Sequence, residues 1–150
     1  MKLKLIALAL MVSLSMISAG QEFKRAELFK SAAPEKKKGD TVKGSLMFDK
    51  EKKQVLFLRQ TGLPELTISH EAIKTMLYER ASKPRYAEGI LLAWPLLLTK
   101  SKKHYLTIQY TEPSGTGQYA IVRLDKSNVR DVLATAEAQI GKKVDRSEER

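Results

Sequence analysis

Through most of its central part this chain places apolar residues at every second position, and near its end it switches once to helical spacing. That single change of period constrains the fold more than any other feature. In His104 to Thr111, Leu106, Ile108 and Tyr110 alternate with Thr107, Gln109 and Thr111. After Glu112-Pro113-Ser114-Gly115-Thr116-Gly117 the alternation resumes with Ala120, Val122 and Leu124. The pattern predicts a long-loop β-hairpin. Directly after it, Ser127 is placed to cap a helix whose apolar positions Val129, Val132, Leu133, Ala136 and Ile140 share one face, and Gly141 is placed to end it. A single amphipathic helix must lie on an apolar surface, and the only large one this sequence provides is a β-sheet.

The upstream half reads the same way. Val42, Gly44, Leu46 and Phe48 lead to the turn Asp49 to Lys53, and Val55 to Leu58 return, which predicts a second hairpin. Leu66 and Ile68 make a further short strand after Gly62-Leu63-Pro64. Residues 71–82 fit both periods; the reading adopted is a strand preceded by a turn at His70-Glu71.

The ends carry a different signal. Lys2 and Lys4 precede an apolar run from Leu5 to Ile17 that closes on Ser18-Ala19-Gly20, the pattern of a secretory signal peptide over residues 1–20. At about 13 residues the run falls short of the roughly 20 that a spanning helix needs. Export implies a secreted or periplasmic product with no transmembrane segment after cleavage. Residues 21–40 hold a short apolar cluster (Phe23, Ala26, Leu28, Phe29) and then Lys36-Lys37-Lys38-Gly39-Asp40, and read as a flexible arm and linker. Residues 142–150 read as a charged tail, which leaves 41–141 as the folded domain.

The 150 residues suffice for one domain, and the absence of cysteine excludes disulfides, thiolate metal sites and a cysteine nucleophile. The net charge is +10, and because residues 1–20 hold two lysines and no acid it remains +8 without them. The folded part is basic in its own right, and that favours an anionic partner.

Several short antiparallel strands closed by one C-terminal helix resemble pleckstrin-homology-like domains, in which two near-orthogonal sheets form a roll and the helix plugs one end. The segment Lys102-Lys103-His104-Tyr105-Leu106-Thr107-Ile108, with Leu124-Asp125-Lys126 before the helix, is similar to exported bacterial proteins that carry such a domain. The resemblance implies a mainly β (α+β) roll over about Thr41 to Ile140. Lipid-binding members carry a basic cluster in the first hairpin loop; Lys50, Lys52 and Lys53 stand in a comparable loop, but Val55 replaces the arginine that completes the phosphate grip.

No catalytic constellation emerges. His70 and His104, with Glu71 or Glu79, have no metal-ligand spacing, and the serines lack a nucleophile-elbow context. Neither metal nor cofactor is expected. The lysine clusters lack aromatic interleaving, which argues against nucleic acid. The run Ile90 to Leu98, with Trp94 inside it and Lys100, Lys102 and Lys103 after it, is either a buried strand or an apolar loop at a membrane surface, and base rates favour burial. The sequence thus points to a monomeric, non-enzymatic module that contacts an anionic envelope surface or a protein through Trp94, Lys100, Lys102, Lys103, Lys50, Lys52 and Lys53. The alternative is a small-ligand carrier or enzyme with an apolar pocket inside the roll.

Overall fold

The computed structural model describes residues 20–29, 41–85 and 101–148. They form β1 (Gly20–Phe29), β2 (Thr41–Asp49), β3 (Gln54–Arg59), β4 (Pro64–Ser69), β5 (Ile73–Ala81), β6 (Lys103–Thr111), β7 (Gly117–Leu124), α1 (Val129–Ile140) and β8 (Val144–Glu148), with a 3₁₀ turn at His70–Ala72. The fold is mainly β. All eight strands belong to one hydrogen-bonded sheet in the order β4-β3-β2-β1-β7-β6-β5-β8, antiparallel except for β8 beside β5.

This order forces the sheet to curl. β4 and β5 lie six strand spacings apart along it, which in a flat sheet would be about 29 Å at about 4.8 Å per strand. Only His70–Ala72 join them, and four peptide units reach about 14 Å at most. The two regions must therefore meet at a corner. The concave face holds Leu46, Phe48, Phe57, Ile73, Met76, Leu106, Ile108 and Val122, all fully buried, and Phe23 meets Phe48 edge to face at 6.1 Å. Val132, Leu133 and Ala136 of α1 complete this core. On the opposite face Phe29, Tyr105 and Ile121 are also buried, so Ala120, Ile121 and Val122 form a continuous apolar run in β7.

Three sequence expectations change. Residues 21–29 are not an arm but most of β1, the strand between β2 and β7. Its register jumps between Phe23, opposite Leu46, and Ala26, opposite Gly44, and at this bulge Arg25 has φ 60°. The extra residue lets Phe23 and Ala26, three apart, both face inward, and this disguises the period of two.

Residues 142–148 are not a solvated tail. Gly141 ends the helix in the left-handed region, with φ 75° and its N–H on Glu137 O at 3.0 Å. The chain then turns back as β8 along Met76 to Arg80. Val144 is buried, and its N–H donates to Glu137 Oε1 at 3.0 Å. The folded unit therefore runs from Gly20 to Glu148 rather than from 41 to 141. Ser127, finally, is not the cap. Asp125 Oδ1 accepts from the Ser127 N–H at 2.9 Å and from its hydroxyl at 2.5 Å, and organises the leading turn. Asn128 occupies the cap position without a side-chain capping bond.

The remaining elements agree with their patterns, and residues 73–81 are strand. The leader up to Ala19, the lysines at 36–38, Trp94 and Lys100 lie outside the described residues.

Val144 supplies a direct test of β8. Val144→Ala is expected to lower unfolding stability by about 2 kcal/mol, two buried methyl groups at about 0.8 kcal/mol each plus a small cavity term. A change near zero in urea denaturation would mean the segment is solvated after all.

The corner supplies a second test. His70 is buried, and its Nε2 has no hydrogen-bond partner. Burial holds its pKa below the ordinary 6.5, against the opposing pull of the Gln54 backbone bond and Asp49; Lys53 adds to the lowering. Between the folded value and 6.5 the unfolded chain binds the proton and the folded chain does not. Stability should accordingly be full above about pH 6.5 and fall as pH drops through that range. Urea midpoints measured from about pH 8 to 5 should show the decline, and His70→Gln should flatten it.

Candidate anion-binding groove

The bulge in β1 aims side chains outward that a regular strand would spread along its length. Arg25, in its left-handed conformation, reaches Asp125 at 3.6 Å and donates to Ser127 Oγ at 3.1 Å. The Asn128 amide donates to Lys24 O at 2.9 Å, and Thr135 Oγ1 to Gln21 Oε1 at 3.1 Å. The first turn of the helical segment is thus fastened to the bulge.

Around this anchor polar residues of four strands converge. Glu27 stands opposite Lys43 of β2 on one side and Arg123 of β7 on the other, and accepts from Arg123 Nη2 at 2.6 Å. Ser45 Oγ donates to Glu22 Oε1 at 2.6 Å. Arg59, at the end of β3, pairs with Glu65. Together they bound an open groove of about 660 Å³ whose lining includes Lys24, Arg25, Lys43, Arg59 and Arg123 against Glu22, Glu27 and Asp125.

The charges are not equivalent. Three guanidinium groups are already paired: Arg25 to Asp125, Arg123 to Glu27, Arg59 to Glu65. Hydrogen bonds from the Ser127 hydroxyl and N–H, aided by Arg25, hold the Asp125 carboxyl below its ordinary pKa, so it stays ionised at neutral pH. Lys24 and Lys43 are exposed and have no ion pair among the described residues. Two free ammonium groups beside three partly neutralised guanidinium groups suit carboxylate or phosphate oxygens. The groove holds no histidine, and its one hydroxyl, on Ser45, is committed to Glu22.

Gly44 sets the groove's floor. A Cβ there would sit 1.8 Å from Leu58 O, so only glycine lets β2 approach β3 so closely between Lys43 and Ser45.

The residues singled out in the sequence fall elsewhere. Lys50, Lys52 and Lys53 are together and exposed on the β2–β3 turn, where the Lys52 N–H donates to Asp49 Oδ1 at 3.0 Å. Lys102 and Lys103 stand at the start of β6, Lys103 opposite Ala81. These two sets are separate, since the turn lies at the Gly20 end of β1 whereas β6 begins beside Leu124. The histidines are separate too: His70 sits at the corner, and His104 Nδ1 is 2.7 Å from Tyr78 OH with the rings stacked. Among the described residues no group of three or more His, Asp or Glu could hold a metal ion, and no helix is long and apolar enough to cross a membrane. Sequence reasoning passed over Lys24, Lys43, Arg59 and Arg123 because they are scattered over a hundred residues. The signal available for Lys43 and Arg123 was their place between inward apolar neighbours.

No protein-family model matches this chain, and no curated protein matches it significantly in sequence.

Gly44→Ala should separate β2 from β3 at the groove and cost about 1–3 kcal/mol, the range for overpacking. A thermal midpoint unchanged within a degree or so would show that the two strands move apart freely there.

Proposed function

We propose that this protein is an exported binding module of pleckstrin-homology-like architecture which lays the groove at the β1 bulge against an anionic envelope surface and carries out no reaction there. The observation that carries this reading is the pair Lys24 and Lys43, exposed and unpaired beside Arg25, Arg59 and Arg123. The architectural part is supported by a run of antiparallel strands curled into a sheet and followed by one helix. Export to a secreted or periplasmic location is supported by Lys2 and Lys4 ahead of the apolar run at 5–17. The net charge of +8 that remains without residues 1–20 adds long-range attraction to such a surface. The inside of the curled sheet is filled by Phe48, Phe57, Leu46 and their neighbours, which favours a surface site over a ligand held inside.

Sedimentation with phosphatidylglycerol-containing vesicles against phosphatidylcholine vesicles tests the proposal. Binding is expected to the anionic vesicles at about 20 mM salt and to be lost by about 300 mM, as screening shortens. At about 1 kcal/mol for each basic residue near the surface, Lys24→Glu with Lys43→Glu should weaken binding by about thirtyfold or more. Failure to bind anionic vesicles at low salt, or equal binding by the double variant, overturns it.

A further inference from the structure

We propose that the free edge of β4 is a second binding site, taking an extended peptide of basic and alternating apolar character as an added strand in the groove between β4 and the β6–β7 turn. This site is distinct from the groove at the bulge and does not depend on it.

The phase of the ladder shows which backbone groups are free. The His70 N–H donates to Lys53 O at 2.9 Å, so residues 70 and 53 form a hydrogen-bonded pair. Alternation along β3 and β4 then makes Val55–Ile68 and Phe57–Leu66 the next bonded pairs. Thr67 and Ser69 consequently direct their N–H and C=O groups away from β3. Both residues are exposed; the Ser69 carbonyl opens the 3₁₀ turn at His70–Ala72, which leaves the Thr67 N–H and C=O and the Ser69 N–H for an added strand. β4 ends the strand order on this side; at the other end β8 covers β5.

The two terminal strands differ in how they meet solvent. β8 reads Val-Asp-Arg-Ser-Glu, with charge at three of five positions, a common guard against unwanted pairing. β4 carries its proline and glutamate at the start and is uncharged from Leu66 to Ser69. In front of that uncharged stretch lies a groove of about 790 Å³, walled on the far side by Tyr110 to Ser114. Its floor is Leu66, Ala72 and Tyr110, each packed against the core. A smaller hollow of about 170 Å³ continues it past Leu66 and Tyr110.

Shape and charge select the occupant. The β6–β7 turn, closed by bonds from Glu112 N–H to Thr116 O and from Gly115 N–H to Glu112 O, lines the groove opposite the edge. A single extended chain with alternating side chains matches a strand edge that lies beside an apolar groove. Among the described residues the lining contains Glu71 and Glu112 and no lysine or arginine, in a chain whose net charge is +10. Apolar side chains at every second position would meet the floor, and basic side chains at the ends would meet the two glutamates.

The test uses the full chain and an end-capped synthetic heptapeptide with lysine at each end and alternating valine and threonine between. At saturation the peptide is expected to slow hydrogen exchange of the Thr67 and Ser69 amides by about tenfold or more. Glutamate in place of the two lysines should weaken binding by about fivefold to tenfold, and so should Glu71→Lys with Glu112→Lys. Thr67→Pro should abolish binding without unfolding the sheet, because that N–H makes no ladder bond. Unchanged exchange at Thr67 and Ser69 under saturating peptide, full affinity of the glutamate-ended peptide, or binding that survives Thr67→Pro each overturns the proposal.

Discussion

β1 pairs with β2 along one side and with β7 along the other, and among the described strands its ladders join the hairpins of the N-terminal half to those of the C-terminal half. Its two partnerships do not coincide along the strand. Gly20 to Phe29 lie against β2, whereas only Glu27 to Phe29 lie against β7. The bulge falls just before the shared stretch, and bulges raise local twist and bend the strand that carries them. β1 therefore leaves β7 where it bends, and the gap at that point admits the first turn of the helical segment, held by Arg25 and Lys24, while Gln21 holds Thr135 further along the helix. Helix position and the basic groove share one local cause, an extra residue at Arg25, which adds to the curl that the short β4–β5 link imposes.

The same cause explains why the groove is basic without being strongly attractive. Outward positions beside a bulge lie close together, and five cations there would repel one another without compensation. Glu27 and Asp125 take up Arg123 and Arg25, which leaves a modest positive excess on flexible lysine stems. Exposed pairs of this kind are worth about 0–1 kcal/mol each, so their role is to set where the free charge is presented more than to hold the fold together. The fold rests instead on the concave core, where Phe48, Phe57 and Leu46 bury entirely.

How much of this was legible in the sequence depended on whether a period was interrupted. Leu106, Ile108 and Tyr110, with Val122 and Leu124, keep strict alternation over long strands, and Val132, Leu133 and Ala136 keep helical spacing, so the hairpin and helix could be read directly. β1 could not, because the bulge puts two residues, not one, between the inward-facing Phe23 and Ala26 and the cluster then resembles neither period. β8 was hidden for a different reason. It buries Val144 alone, and an edge strand protected by Asp145 and Arg146 has the composition of a solvated tail. The lysine clusters were visible as clusters, but proximity along the chain is a poor guide to proximity across a sheet. Lys24, Lys43 and Arg123 meet only because β1 sits between β2 and β7, a pairing that no local pattern encodes.

The curled sheet also accounts for the separation of charge between its two grooves. Closing β4 towards β6 and β7 places the β6–β7 turn at the corner side, where Glu71 and Glu112 line one groove with Leu66 and Tyr110. Burial, and next Glu112, raise the Tyr110 pKa, so the phenol stays neutral there and adds no further negative charge near neutral pH. The bulge lies on the other side of β2 and β3, where Lys43 and, at the exposed end of β3, Arg59 line the groove. A strongly basic chain thus keeps one acidic cleft because two glutamates far apart in sequence are brought together by a three-residue link between β4 and β5. Lengthening that link would let the corner relax and dissolve the cleft while leaving the groove at the bulge in place, since its walls are set by β1 and its two neighbours.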